Sequence, residues 1–313
     1  MDPLIRGEDL SWLGQSLRVG EGKGTGELTI SAGSVKADYA GINIAGAYEQ
    51  HGVLCMPTGV MRMSGGQIEV MGGTDFSGTI IGAGNTAATD ANGNFLDNLF
   101  RGRLDISGDA YYKNTGNSQV VVGVGQAEAE LNQSGGTLTV ARTDLGGASI
   151  IGMAGAKGVW TMTGGTATLS GYLYVGGITT NELGRQVSGG DGTGRRYPAE
   201  LGPNGTGKLA LSGGTMTVAK DLVLSADGQG TLELKPGAKL AVAGNLDARV
   251  GSKLVIDCRG YAGRSKTLAT FGGTTTAFAD VEFLKDDAAG YTYKITDKMI
   301  RISSNGGSVL LVR

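Results

Sequence analysis

The densest concentration of chemically capable side chains lies between positions 90 and 103. Asp90, Asn92 and Asn94 alternate around Gly93, with Asp97 close behind. Oxygen ligands at alternate positions about a glycine turn can wrap a hard cation, and calcium would suit them. The run lacks a distal bidentate glutamate, and Asp, Asn and Gly are also ordinary turn formers, so a solvated loop is the default reading. Asp97 with Arg101 and Arg103 offers a second chemistry. Carboxylates able to hold calcium, beside arginines that neutralise a uronate and abstract a proton, are the groups a polysaccharide lyase needs. Arg195 and Arg196 supply further positive charge, and Tyr48, Phe95, Phe100 and Tyr197 could serve as flat platforms for sugar rings.

Other motifs carry less. His51 is the one histidine, so a Ser-His-Asp or Cys-His triad could be built only around it, and no neighbouring pattern suggests one. Gly202-Pro203-Asn204-Gly205-Thr206-Gly207-Lys208 imitates a phosphate loop. Leu209 then stands where magnesium coordination needs Ser or Thr, and a strand pattern follows where a helix should begin. Cys55 reads as a loop thiol and Cys258 as a core residue. They should not pair, because stacked coils would hold them at least ~24 Å apart, against a bridging limit near ~7 Å.

What must position these residues is set by composition. Glycine takes 58 of the 313 positions and proline only 5, which excludes collagen, where both must recur in a three-residue period. With 40% of the chain apolar and 18% charged, simple disorder is excluded as well. Glycine at this density also disfavours helical architectures, since each interior position costs about 1 kcal/mol. The 27 basic and 29 acidic residues nearly cancel, so no basic stripe advertises nucleic-acid binding. No window approaches the ~18 apolar residues of a membrane span, and no cleavable secretion signal opens the chain.

The elements themselves emerge as a repeat. Apolar pairs spaced by two precede a small residue: Leu17 and Val19 before Gly20, Ile42 and Ile44 before Ala45, Ile81 before Gly82, Val120 and Val122 before Gly123. Ile151 before Gly152, Leu173 and Val175 before Gly176, and Leu222 and Leu224 before Ser225 continue the series. A second segment follows each, clearest from Leu131 through Ser134-Gly135-Gly136 to Val140, from Trp160 to Leu169 and from Leu209 to Val218. Period-two alternation of apolar residues with Thr, Ser or Lys is the mark of half-buried strands. No single unit buries its own apolar row, whereas coils stacked at ~4.8 Å do. The sequence therefore predicts an all-β chain, a single-stranded parallel β-helix of about seven three-strand coils. Val19, Ile44, Ile81, Val122, Ile151, Val175 and Leu224 should form one internal ladder.

The spacing from the small residue to the next turn is short and constant in four copies and expands in three. Long loops are thus expected near 46–59, 83–102 and 177–207, all at one corner of the coil, the arrangement by which solenoids project a binding face. Residues 1–16, with Leu10, Trp12 and Leu13, are expected to plug the first coil, and 17–250 to form the helix. From 251 to 313 a β-strand cap is expected, with 253–258, 281–284, 291–295 and 299–303 antiparallel and the last two forming a hairpin.

The Leu-x-x-Ser-Gly-Gly-Thr-Leu-Thr-Val run at 131–140, its relatives at 160–169 and 209–218, and the closing segment from Leu254 to Val312 resemble the repeat regions of autotransporter passengers of Gram-negative bacteria, which have a pectin-lyase-like β-helix. The resemblance implies export, an extracellular or outer-surface location, and a structural or adhesive role. Its partner would be a glycan or a surface protein of a host or neighbouring cell, bound by a monomer without a cofactor. No outer-membrane barrel follows the repeats. Two alternatives stand beside this. Parallel β-helices also resemble polysaccharide lyases and glycoside hydrolases in architecture, which would give Asp97, Arg101 and Arg103 catalytic roles. A phage tail-type β-helix would be trimeric. Aromatic residues at 6% are thin for a glycan cleft, so catalysis is the less favoured expectation.

Overall fold

A computed structural model describes residues 4–5, 10–12, 17–21, 24–39, 41–46, 57–83, 100–125, 127–142, 148–178, 205–226, 228–286 and 290–304. These form a parallel β-helix. Its first sheet has ten strands, running from Leu4–Ile5 and Thr25–Ile30 through Thr58–Met63, Phe100–Ile106, Ala127–Gln133, Lys157–Met162, Thr206–Leu211 and Gln229–Leu234 to Lys253–Asp257 and Asp280–Leu284. Neighbours pair parallel throughout. Second and third sheets complete each coil. Two long strands, Gln67–Ala83 and Tyr111–Val124, pass from the second into the third without a break.

Register follows the apolar alternation. Val19, Ile44, Ile81, Val122, Ile151, Val175 and Leu224 stack as one ladder of the third sheet, as expected, and each is buried. In the first sheet Leu28, Met61, Leu104, Leu131, Trp160, Leu209, Leu232 and Leu254 form another. One buried polar group, Thr79, Tyr112 and Asn114, satisfies itself by mutual hydrogen bonds. Thr79 stacks directly on Ile42. Its hydroxyl donates to Asn114 Oδ1 at 3.1 Å, so the Tyr112 hydroxyl 2.6 Å away is the donor to Thr79, and Asn114 Nδ2 donates to the Gln119 carbonyl at 2.9 Å. Burial pushes the Tyr112 phenol upward, which keeps it protonated as that chain requires.

The repeated small residue is explained by backbone geometry. Gly20, Ala45, Gly82, Gly123, Gly152, Gly176 and Ser225 all have positive φ, the left-handed bend that turns the third strand toward the first strand of the next coil. Against each bend lies an inward position of the first sheet, filled by Gly26, Gly59, Gly102, Ala129, Gly158, Gly207 and Gly230 in register. A Cβ on Gly207 would fall 2.2 Å from the Gly176 nitrogen and 2.4 Å from the Ile151 carbonyl oxygen, both backbone atoms. The two small columns are thus one packing requirement seen from its two sides.

Both ends depart from expectation. At the N-terminal end the described residues are strands rather than a plug: Leu4–Ile5, Leu10–Trp12 and Leu17–Glu21 pair parallel with the three strands of the next coil. These short strands meet the edge hydrogen bonds that a plug would only cover. Leu13 lies outside the described residues. At the other end Lys253–Asp257 and Asp280–Leu284 are parallel, not antiparallel, so the first sheet continues to Leu284. The hairpin of Tyr291–Ile295 and Met299–Ser304 is antiparallel as expected, and it closes the second sheet against Ser265–Phe271. Among the described residues no helix is long and apolar enough to cross a membrane.

Candidate functional site

The corner that follows the third strand is where the chain departs from its regular coil. The described backbone leaves there at Gly46, Ala83 and Ile178 and resumes at Pro57, Phe100 and Gly205. The longest insertions therefore share one corner, in line with the spacing argument. Tyr48, His51, Cys55, Asp90, Asn92, Asn94, Phe95, Asp97, Arg195, Arg196 and Tyr197 lie outside the described residues.

In its middle coils the third sheet beside this corner is buried on both faces. Ile80, Val121, Ile150, Tyr174 and Val223 point away from the coil interior at one register position. They are nonetheless buried, in a second apolar cluster with Val124, Ala148, Met153 and Ile178. Ala148 and Ile178 anchor the ends of neighbouring segments to this ledge. Strict alternation does not mark this ledge. Its signal is present in the unbroken apolar runs Val120-Val121-Val122, Leu173-Tyr174-Val175 and Leu222-Val223-Leu224, the pattern of strands covered on two sides.

Three proposed site residues fall on Phe100–Ile106. Phe100 is not a sugar platform: strand alternation turns it inward with Gly102, Leu104 and Ile106, and its ring is fully buried against Ala127 and Ala156. Arg101 and Arg103 do face outward, yet each meets a carboxylate on the next strand. Arg101 Nε lies 3.4 Å from Glu128, and Arg103 Nε lies 2.7 Å from Asp105 and 4.0 Å from Glu130. The hydrogen bond that Arg103 donates to Asp105 holds the guanidinium still more firmly in its charged form. Arg62 continues the pattern between Glu27 and Asp105. These arginines belong to a ladder of alternating charge across the coils, and their guanidinium groups are already neutralised.

The phosphate-loop imitation resolves as its flaws predicted: Thr206–Leu211 is a strand inside the first sheet. Cys258 is buried and free, and burial pushes its thiol up to about 11, which leaves it an inert core group at neutral pH.

Among the described residues the most strongly perturbed carboxylate is structural. Asp257 accepts from Arg259 Nε and Nη2, both at 2.9 Å, and Lys235 Nζ lies 2.9 Å away. These donors hold its carboxyl well below the usual range, against the opposing effect of burial. A depressed folded-state value stabilises the fold above the ordinary carboxylate pKa of ~3.9, and this is lost as pH falls below it. Asp257→Asn should therefore cost about 1 kcal/mol at pH 7, with the deficit shrinking as unfolding is measured at progressively lower pH below 4. A deficit that stays constant with pH would mean that shape, not charge, is what Asp257 provides.

No protein-family model, curated protein or solved structure matches the chain.

Proposed function

We propose that this protein is a secreted or cell-surface β-helical binding scaffold, adhesin-like rather than catalytic, of the kind its likeness to autotransporter passengers implies. It would present its insertion corner to a glycan or to a surface protein of a host or neighbouring cell. The observation that carries this reading is the common corner: the chain departs at Gly46, Ala83 and Ile178 and returns at Pro57, Phe100 and Gly205, beside an apolar ledge that anchors Ile178. A rigid solenoid holds the attachment points of its long segments in fixed relation on one side, and that favours display. The pairing of Arg101 and Arg103 with carboxylates weighs against a lyase centre, because a uronate would have to compete with Glu128 and Asp105 for their charge.

Replacing residues 180–203 by a short Gly-Ser linker tests the reading. Ile178 is retained because it is buried in the ledge. Far-ultraviolet circular dichroism and the unfolding midpoint should stay close to the parent's, and retention on the cognate glycan or cell surface should be lost. Retained binding would take the insertion out of the recognition face, and loss of the fold would make it a structural element.

A further inference from the structure

A second recognition site, apart from the insertion corner, lies where the second sheet changes from parallel to antiparallel. Ser265–Phe271 pairs parallel with Ala238–Val242 only from Leu240–Ala269 onward. Its other edge pairs antiparallel with Met299–Ser304 from Ser265 to Thr270, and that register slips between Thr267 and Ala269. The two strands part, so Ala238 and Lys239 have no partner in Ser265–Phe271. The gap is a cleft of about 430 Å³, within the range of ligand sites, lined by Thr215, Lys239, Lys266, Thr267 and Thr270 among others.

The charge around this cleft differs from that of the first sheet. There Arg62, Arg101, Arg103, Lys208, Lys235 and Lys253 each bind a carboxylate. Among the described residues no carboxylate pairs with Lys239 or Lys266, both of which line the cleft. The outward column that ends at Lys239 runs Gln67, Tyr111, Thr137, Thr166, Thr215 and contains no acid. Across the split, Arg301 donates to the Ser265 hydroxyl at 3.0 Å and adds a further positive charge. Unneutralised cations at a concave site raise the local concentration of anions. Threonine hydroxyls beside them, continued outward along the same sheet at Thr166 and Thr168, are donors and acceptors suited to sugar hydroxyls.

We infer that this cleft binds an acidic polysaccharide, its carboxylates on Lys239 and Lys266 and its hydroxyls on the threonines. A nucleic acid fits less well, because no aromatic side chain lines the cleft to stack a base. The inference does not depend on the insertion corner, and the linker variant described above should leave it intact.

The test is equilibrium binding of the full chain to oligogalacturonate, neutral dextran oligomers and a single-stranded oligonucleotide of similar length. Oligogalacturonate should bind, dextran should not, and the affinity should fall as salt is raised. K239E/K266E should weaken oligogalacturonate binding by at least about tenfold, the worth of one charge-assisted hydrogen bond. The same charge change placed elsewhere, K157E/K285E, should leave it unaltered. Both pairs are surface substitutions, and an unchanged circular dichroism spectrum checks the fold. Absence of oligogalacturonate binding, equal loss in the two variants, or tighter binding of dextran or the oligonucleotide would each overturn the inference.

Discussion

Gly207→Ala should destabilise the helix by about 3 kcal/mol or more, beyond the usual range for a single added methyl. The new Cβ would lie 2.2 Å from the Gly176 nitrogen and 2.4 Å from the Ile151 carbonyl oxygen. Neither is the end of a flexible side chain, so relief requires parting two backbones that are hydrogen-bonded into adjacent coils. The same column supplies its own control. Ala129 already carries a Cβ at the equivalent level, so Ala129→Gly should cost only about 1 kcal/mol, mostly through chain entropy. Urea denaturation followed by circular dichroism separates the two. Similar small losses for both would mean that the bend accommodates a methyl anywhere and that the glycine column is not a packing constraint.

Trp160→Ala should cost about 3–5 kcal/mol. The ring is fully buried, stacked between Leu131 and Leu209 on the neighbouring strands, and hydrogen-bonded coils above and below leave little freedom to collapse around the void. Its indole Nε1 has no hydrogen-bond partner. Trp160→Phe should therefore recover most of the loss, since volume and not a hydrogen bond is what the ring contributes. If Phe proved as damaging as Ala, the indole N–H would have to be held by a group such as buried water. Because a solenoid is stabilised mainly by nearest neighbours, hydrogen exchange in Trp160→Ala should rise chiefly in Ala127–Gln133 and Thr206–Leu211.

The internal ladders were legible because two local signals coincide: strict alternation, as in Thr137-Leu138-Thr139-Val140, and a small residue at each left-handed bend. Together they fix register, since a one-residue slip would expose every apolar side chain. What stayed hidden depends on partners that period-two alternation does not name. Leu4–Ile5 and Leu10–Trp12 are too short to show alternation, so their role as a coil emerges only from pairing. Lys253–Asp257 carries a dense apolar run that suits either strand direction. The outer ledge was concealed because Val121 and Tyr174 occupy positions where alternation expects solvent. Phe100 was misplaced for a related reason: reading it as part of a loop overlooked that it opens an alternating strand. The cleft at Lys239 and Lys266 does not show in the repeat, because it exists only where the start of Ser265–Phe271 lies unpaired with Ala238–Val242.

On the proposed function, this solenoid would bind and display without cutting. The most direct test is one incubation of the full chain with immobilised acidic and neutral polysaccharides, mucin glycans included, scoring protein retained on the solid phase and reducing ends released into solution. Retention on at least one glycan with no release is the predicted result. Release that disappears in Arg101→Ala would contradict it and make the outward face of Phe100–Ile106 an active site after all.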